Sequence, residues 1–128
     1  MRVLLDTHVF LWAINDPGRL SSRMTATIQD PGNEILVSLA SAWEIAIKVG
    51  IGKFPMPSPL AAYLQRQMAQ HGFALLPIQF SHLAMLEKLP LHHRDPFDRL
   101  LVAQAIDEGA TLITVDSQLK RYRVRTIR

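Results

Sequence analysis

The sequence predicts an α/β protein, a three-layer α/β/α sandwich around a central and mostly parallel sheet. Two observations carry that prediction. Short apolar runs bounded by polar residues recur at 3–5, 34–37 and 112–115, rich in the branched side chains of strands buried on both faces. Between them lie segments whose apolar residues follow helical spacing, so the coarse order reads β-α-α-β-α-α-β-α-α-β, with a short last strand near residues 124–127. Internal repeats and low-complexity stretches are absent. At 128 residues, 48% of them hydrophobic, the chain suits one domain over 1–128 with a single core of ordinary size.

Val3-Leu4-Leu5 is the first strand and stops abruptly at Asp6-Thr7. Residues 9–14 follow as the longest wholly apolar run, apolar all round if helical. The strand Glu34-Ile35-Leu36-Val37 leads into Ser41-Ala42-Trp43-Glu44-Ile45-Ala46-Ile47-Lys48-Val49, a helix apolar on most of its circumference, with Glu44 and Lys48 as its charged stripe. By itself that stripe reads as an exposed i,i+4 ion pair worth roughly 0.2–0.5 kcal/mol. Phe54-Pro55-Met56-Pro57-Ser58-Pro59 is too rich in proline for regular structure and forms a surface hinge. Ser58-Pro59 then caps a helix running to about residue 71, and Gly72 stops it. Residues 73–78 make the third strand, and Ser81 caps a short helix through Leu89 that Pro90 ends. The next helix has a strong start, with Asp95 at the N-cap, Pro96 at the first helical position and Asp98 at the third; Gly109 closes it. Leu112-Ile113-Thr114-Val115 is the fourth strand and ends in Asp116, after which Ser117 caps a short helix over 118–122.

Four acids stand out against this framework: Asp6, Glu44, Asp98 and Asp116. Open α/β sheets bind ligands in the crevice beyond the carboxyl ends of their strands, which puts Asp6 and Asp116 at its mouth. If the strands near residues 3, 35 and 112 are neighbours, right-handed crossovers bring the helices of Glu44 and Asp98 alongside. An acid in a first helical turn, as Asp98 is, gains from the helix dipole whether or not it does chemistry. Carboxylates gathered this closely raise one another's pKa, and a divalent cation offsets the repulsion. Oxygen-only ligation suits Mg²⁺ or Mn²⁺, and two such ions about 3.5–4 Å apart can clamp the attacking and leaving oxygens of a phosphodiester.

At these residues the chain resembles the PIN-domain ribonucleases, and within them the VapC-type toxins of bacterial toxin–antitoxin pairs. The likeness covers nearly the whole chain. It rests on Leu4-Leu5-Asp6-Thr7-His8, Ser41-Ala42-Trp43-Glu44-Ile45, His93-Arg94-Asp95-Pro96-Phe97-Asp98-Arg99-Leu100 and Leu112-Ile113-Thr114-Val115-Asp116, in that order. The resemblance implies a PIN-like sandwich and a Mg²⁺- or Mn²⁺-dependent endoribonuclease, the toxin of a type II pair. Asp6, Glu44, Asp98 and Asp116 then fall on the family's four acids, catalytic and metal-binding at once, and Thr7 on the hydroxyl that follows the first. His8 departs from the Asn or Ser common at that place. Also implied are an RNA substrate, a homodimer, and an antitoxin whose extended or helical segment covers an apolar groove and occludes the acids.

Other polar residues have weaker claims. Asp95 doubles the acid at the start of its helix. Arg94 and Arg99 flank Asp95 and Asp98 and can reach a scissile phosphate bidentately, although arginines near acids more often form local ion pairs. His92 and His93 lack the spacing of a histidine metal site and read as loop residues. Thr114 and Ser117 lie beside Asp116, where hydroxyls either hold a water or satisfy backbone. In the helix after the proline hinge, Leu60, Tyr63, Leu64, Gln67 and Met68 share a face that reads mostly as core.

Composition narrows the setting. Without cysteine there is no disulfide framework or thiolate metal site, no apolar run approaches the roughly 18 residues of a membrane span, and no cationic, cleavable leader is legible. A cytoplasmic protein is the expectation. The net charge is +3, but Lys120, Arg121, Arg123, Arg125 and Arg128 supply five of the 14 basic residues, leaving nine against 11 acids and a net −2 over residues 1–119. Such a basic tail either contacts phosphates or protects a sheet edge from aggregation. Two further functions compete. A haloacid-dehalogenase-like phosphatase also starts with a strand ending in Asp, but wants a second Asp two residues on, where this chain has His8. A degenerate PIN fold kept as a binding module would typically have lost an acid, and all four are here.

Overall fold

The computed structural model describes residues Met1–Arg128. Its strands are β1 (Arg2–Leu5), β2 (Glu34–Ser38), β3 (Ala74–Leu76), β4 (Thr111–Ile113) and β5 (Thr126–Ile127). They form one sheet in the order β3-β2-β1-β4-β5, and every pairing is parallel. Six helices accompany it: α1 (Thr7–Asn15), α2 (Ser22–Gln29), α3 (Leu39–Gly50), α4 (Leu60–His71), α5 (Phe80–Lys88) and α6 (Pro96–Glu108). This is the predicted α/β/α sandwich, with the sheet wholly parallel.

Alternation along the strands divides the core. Val3 and Leu5 of β1, with Ile35 and Val37 of β2, pack against Val9, Phe10, Met24, Ile45 and Leu64 from α1 to α4. Leu4, Leu36 and Leu112 point to the other side and meet Leu101, Val102 and Ala105 of α6. The chain therefore winds outward from β1 to β3 under one helical layer and returns to β4 under the other. The direction reverses between β2 and β4, at β1, so the switch point of the topology lies beside Asp6. On α4, Leu64 is buried, while Leu60, Tyr63 and Met68 pack half-buried against the first core, as their spacing predicts.

Several boundaries differ from expectation, each for a local reason. The third strand is three residues long: Phe73 follows the left-handed Gly72 (φ 72°), and Pro77 lacks the N–H that would extend the ladder. The following helix is capped at Gln79 rather than Ser81, because the Gln79 N–H donates to Nδ1 of His82 at 3.0 Å. Helix α4 begins after Pro59 without a side-chain cap, so Ser58 does not serve there. After β4 the residues Ser117–Arg121 form a 3₁₀ turn whose cap is Asp116, accepting from the Gln118 N–H at 2.9 Å. Ser117 is the first residue of that turn and not its cap.

A polar thread runs beneath α5 and α6. Arg2 pairs with Glu108 at 2.8 Å, Glu108 accepts from Nε2 of the fully buried His82 at 2.8 Å, and Gln104 links His82 to Ser38, the cap of α3. The hydrogen bonds from His82 and Arg2 hold the Glu108 carboxyl below its ordinary range.

Candidate active site

Asp6 ends β1 and caps α1. Its Oδ1 accepts from the Val9 N–H at 2.8 Å and its Oδ2 from the Thr114 hydroxyl at 2.5 Å, which leaves it 4% exposed. Burial pushes its pKa up, with a further upward push from Asp116, against the opposing hydrogen bonds of Thr114 and Val9 and the charge of His8. Thr114 also accepts from the Asp116 N–H at 3.0 Å, so one hydroxyl ties the acids beyond the two neighbouring strands β1 and β4.

Glu44 lies on the face of α3 turned toward the start of α1. Its Oε1 accepts from the Thr7 hydroxyl at 2.7 Å, and Ser41 Oγ lies 3.0 Å from the same hydroxyl. Its Oε2 meets Lys48 Nζ at 2.8 Å. The i,i+4 pair exists, but it is not the exposed one that spacing suggests: Glu44 is 5% exposed, because the turn from β2 into α3 presses this face onto α1. An acid so enclosed is costly unless something offsets its charge.

Asp95 caps α6 as predicted, its Oδ1 accepting from the N–H groups of Phe97 (2.8 Å) and Asp98 (3.2 Å). Asp98, in the first turn, has its pKa raised to about 7, first by burial and then by the charge of Asp95, with smaller contributions from Asp6 and Glu44. Asp98 thus feels the charges of Asp6 and Glu44, and Asp6 that of Asp116. Trp43 of α3 meets Phe97 of α6 edge-on, ring centroids 5.0 Å apart, which clips together the helices that carry Glu44 and Asp98.

Two expectations change here. Arg99 is turned away from the acids: Nη2 donates to the Leu89 carbonyl at 3.2 Å, and its buried Nε has no partner. Its position on α6 faces the incoming loop rather than the crevice. His93, read from sequence as a loop residue, does sit in a loop, yet its Nε2 lies 2.8 Å from Asp116 Oδ2 and 3.5 Å from Asp98 Oδ2. No His-x₃-His spacing announces it, because its companions are acids distant in sequence. The one usable signal is its place two residues before a helix cap, where a side chain can meet the cap's backbone.

Chemically, the crevice presents carboxylate oxygens from four elements, two with raised pKa, so it gains by taking up positive charge. His93, Asp98 and Asp116 bring ligating atoms within 4.8 Å of one another. The arrangement can hold a divalent cation.

Comparison with known proteins agrees with this fold. A family described as the PIN domain matches residues 3–124. Ribonuclease VapC22 of Mycobacterium tuberculosis (strain ATCC 25618 / H37Rv) is 34% identical over 122 residues, 94% of this chain and 92% of that protein. Ribonuclease VapC16 of the same organism is 46% identical over 59 residues, 46% of this chain and 42% of that protein, so this match spans less than half of either. Among solved structures, VapBC2 from Rickettsia felis bound to a promoter DNA fragment gives a TM-score of 0.76 at 18% identity, covering 99% of this chain and 98% of that one. FitAcB from Neisseria gonorrhoeae gives 0.66 at 17%, covering 98% and 96%. The structural matches speak for the fold; the family match over nearly all the sequence, joined to a relative aligned end to end, means that this chain belongs to the PIN domain family.

Proposed function

We propose that this PIN domain, one nuclease unit over residues 1–128, is a Mg²⁺- or Mn²⁺-dependent endoribonuclease and the toxin of a toxin–antitoxin pair. The observation that carries the reading is that Asp6 sits at the switch point of the sheet, its carboxyl raised by burial and by Asp116, while Asp98 is raised by burial, by Asp95 and by the charges of Asp6 and Glu44. The ribonuclease names of the two M. tuberculosis relatives support the activity, and the fold shared with VapBC-5 from M. tuberculosis, a member of the VapBC family of toxin–antitoxin systems, supports an antitoxin partner. Family membership sets the phosphatase reading aside.

In this reading the four acids hold the cation directly or through water. Thr114 fixes Asp6, and Thr7 with Lys48 fixes Glu44, so that both carboxylates are held in one orientation. When bound, such an ion activates water and stabilises the charge that develops on the phosphodiester oxygens. Asp95 takes no part beyond its cap, and Ser117 none beyond its turn. Cleavage of single-stranded RNA with Mg²⁺, with Mn²⁺ and in chelator tests the proposal; a protein that binds RNA but never cuts it is the degenerate binding module instead.

The basic tail belongs to substrate binding in this reading. Arg121 and Arg123 border a cavity of about 510 Å³ with Lys88, His92 and Tyr122, next to the loop that carries His93. Replacing Arg121, Arg123 and Arg125 with Gln should weaken RNA binding and flatten its salt dependence by up to about 0.7 in log–log slope per lost phosphate contact. An unchanged slope with more aggregation would assign these residues to protection of β5, the edge of the sheet.

A homodimer is the proposed assembly. Leu39, Trp43 and Ile47 line one exposed stripe of α3 at i, i+4 and i+8, and Leu75, Phe80 (90% exposed) and Leu83 add to the exposed apolar surface. The wild type should sediment as a dimer at micromolar concentration and Trp43→Lys as a monomer. A monomeric wild type counts against the assembly without touching the nuclease site.

A further inference from the structure

His93 occupies the place that a cation would take between the third and fourth acids. Judged by distance alone it is a ligand, since Nε2 lies 2.8 Å from Asp116 Oδ2 and 3.5 Å from Asp98 Oδ2. Its other nitrogen argues otherwise. Nδ1 accepts the backbone N–H of Asp95 at 3.0 Å. A ring nitrogen that accepts carries no proton, so the imidazole bears its proton on Nε2 and presents the carboxylates with a donor, not a lone pair.

Ligation through Nε2 would move that proton to Nδ1 and set it head-on against the Asp95 N–H. Turning the ring over would leave the same N–H without an acceptor. Nor can the loop back away easily. The buried hydroxyl of Tyr122 accepts from both the His92 N–H (3.1 Å) and the His93 N–H (3.0 Å), and the His92 ring packs edge-on against the Tyr122 ring at 5.0 Å between centroids. The backbone is pinned, so His93 can leave the acids only by a side-chain rotation that also gives up the Asp95 N–H.

We propose that His93 is a gate on the metal site: its Nε2–H, hydrogen-bonded to Asp116 and facing Asp98 at 3.5 Å, spans the gap between the two acids as a bridge in the metal-free protein and must leave before a cation binds, which lowers the affinity of the site. The inference rests on the metal-dependent reading above. Before a cation arrives, the bridge sets a positive ring edge between two like charges that would otherwise repel. Tyr122 acts through His93, as a positioning residue.

The test is Mn²⁺ affinity of the full chain without RNA, read from the electron paramagnetic resonance signal of the free ion. Removing a competitor held by about one net charge-assisted hydrogen bond should tighten Mn²⁺ binding about tenfold in His93→Ala. A ligand would give the reverse, a marked weakening, and that result, like an unchanged affinity, overturns the gate. The wild type gives a second readout that does not depend on a variant's folding. Long-range ¹H–¹⁵N spectra of its histidines should find His93 protonated on Nε2 without metal and still so at saturating Mg²⁺, whereas a shift of the proton to Nδ1 overturns the proposal. If wild type and variant both fail to bind Mn²⁺, the metal-dependent reading falls and takes the gate with it; if both bind and only the direction is wrong, the gate alone is lost.

Discussion

Asp6→Asn is expected to abolish RNA cleavage while leaving the metal-free protein as stable as the wild type or more so. The carboxylate is 4% exposed, and both burial and Asp116 push its pKa up, so without metal its charge costs stability. The amide keeps the shape and the α1 cap, because its oxygen still accepts from the Val9 N–H. It loses only the acceptor for the Thr114 hydroxyl, a bond worth on the order of 1 kcal/mol, set against relief from a buried charge. Activity has no such compensation: an amide is a poor ligand for Mg²⁺ and adds no negative charge. The same logic makes cleavage vanish in chelator, return with Mg²⁺ or Mn²⁺, and fail with Ca²⁺, whose looser coordination misplaces the attacking water. Growth arrest on induced expression should likewise require Asp6. Strong cleavage in excess chelator would end the metal mechanism, and a large loss of metal-free stability in Asp6→Asn would make that residue structural.

The parts of the site legible in the sequence are those defined by short-range signals. Asp6 directly follows β1 and Asp116 comes three residues after β4, because each apolar run soon stops at a carboxylate, and the start of α6 follows from Asp95 and Pro96 within four residues. Glu44 was only half legible: its pairing with Lys48 is a matter of helical spacing, but its burial depends on the packing of α3 against α1, which no local pattern records. The surroundings of His93 and Arg99 are not legible for one reason. Where a loop side chain points is settled by partners far along the chain, Asp116 and the Tyr122 hydroxyl for the His93 loop, and by the path of the loop through Leu89 for Arg99. The cap of α5 was misplaced because His82, whose Nδ1 receives the Gln79 N–H, is fixed in place by Glu108 of another helix.

The second large effect separates two acids one helical turn apart. Asp98→Asn should remove most of the cleavage and leave the fold intact, whereas Asp95→Asn should be nearly silent, since Asn caps a helix about as well as Asp. Asp95→Ala should cost roughly 0.5–2 kcal/mol of stability with most activity retained, because the N–H groups of Phe97 and Asp98 lose their acceptor. A pH series in chelator makes the distinction sharper. Asp98 holds its proton up to about pH 7 in the folded protein, against an ordinary value of 3.8. Between those values the folded chain binds a proton that the unfolded chain has released, so this residue makes stability fall as pH rises through the window and level off above 7. Asp98→Asn should flatten that decline, and Asp95→Asn should reduce it only by withdrawing the charge that helps to raise Asp98. Unfolding midpoints between pH 4 and 8, measured beside RNA cleavage for all three variants, read both roles at once. Should Asp95→Asn be the inactive protein and Asp98→Asn cut normally, the third metal-binding acid is Asp95, and Asp98 is there for the helix dipole alone.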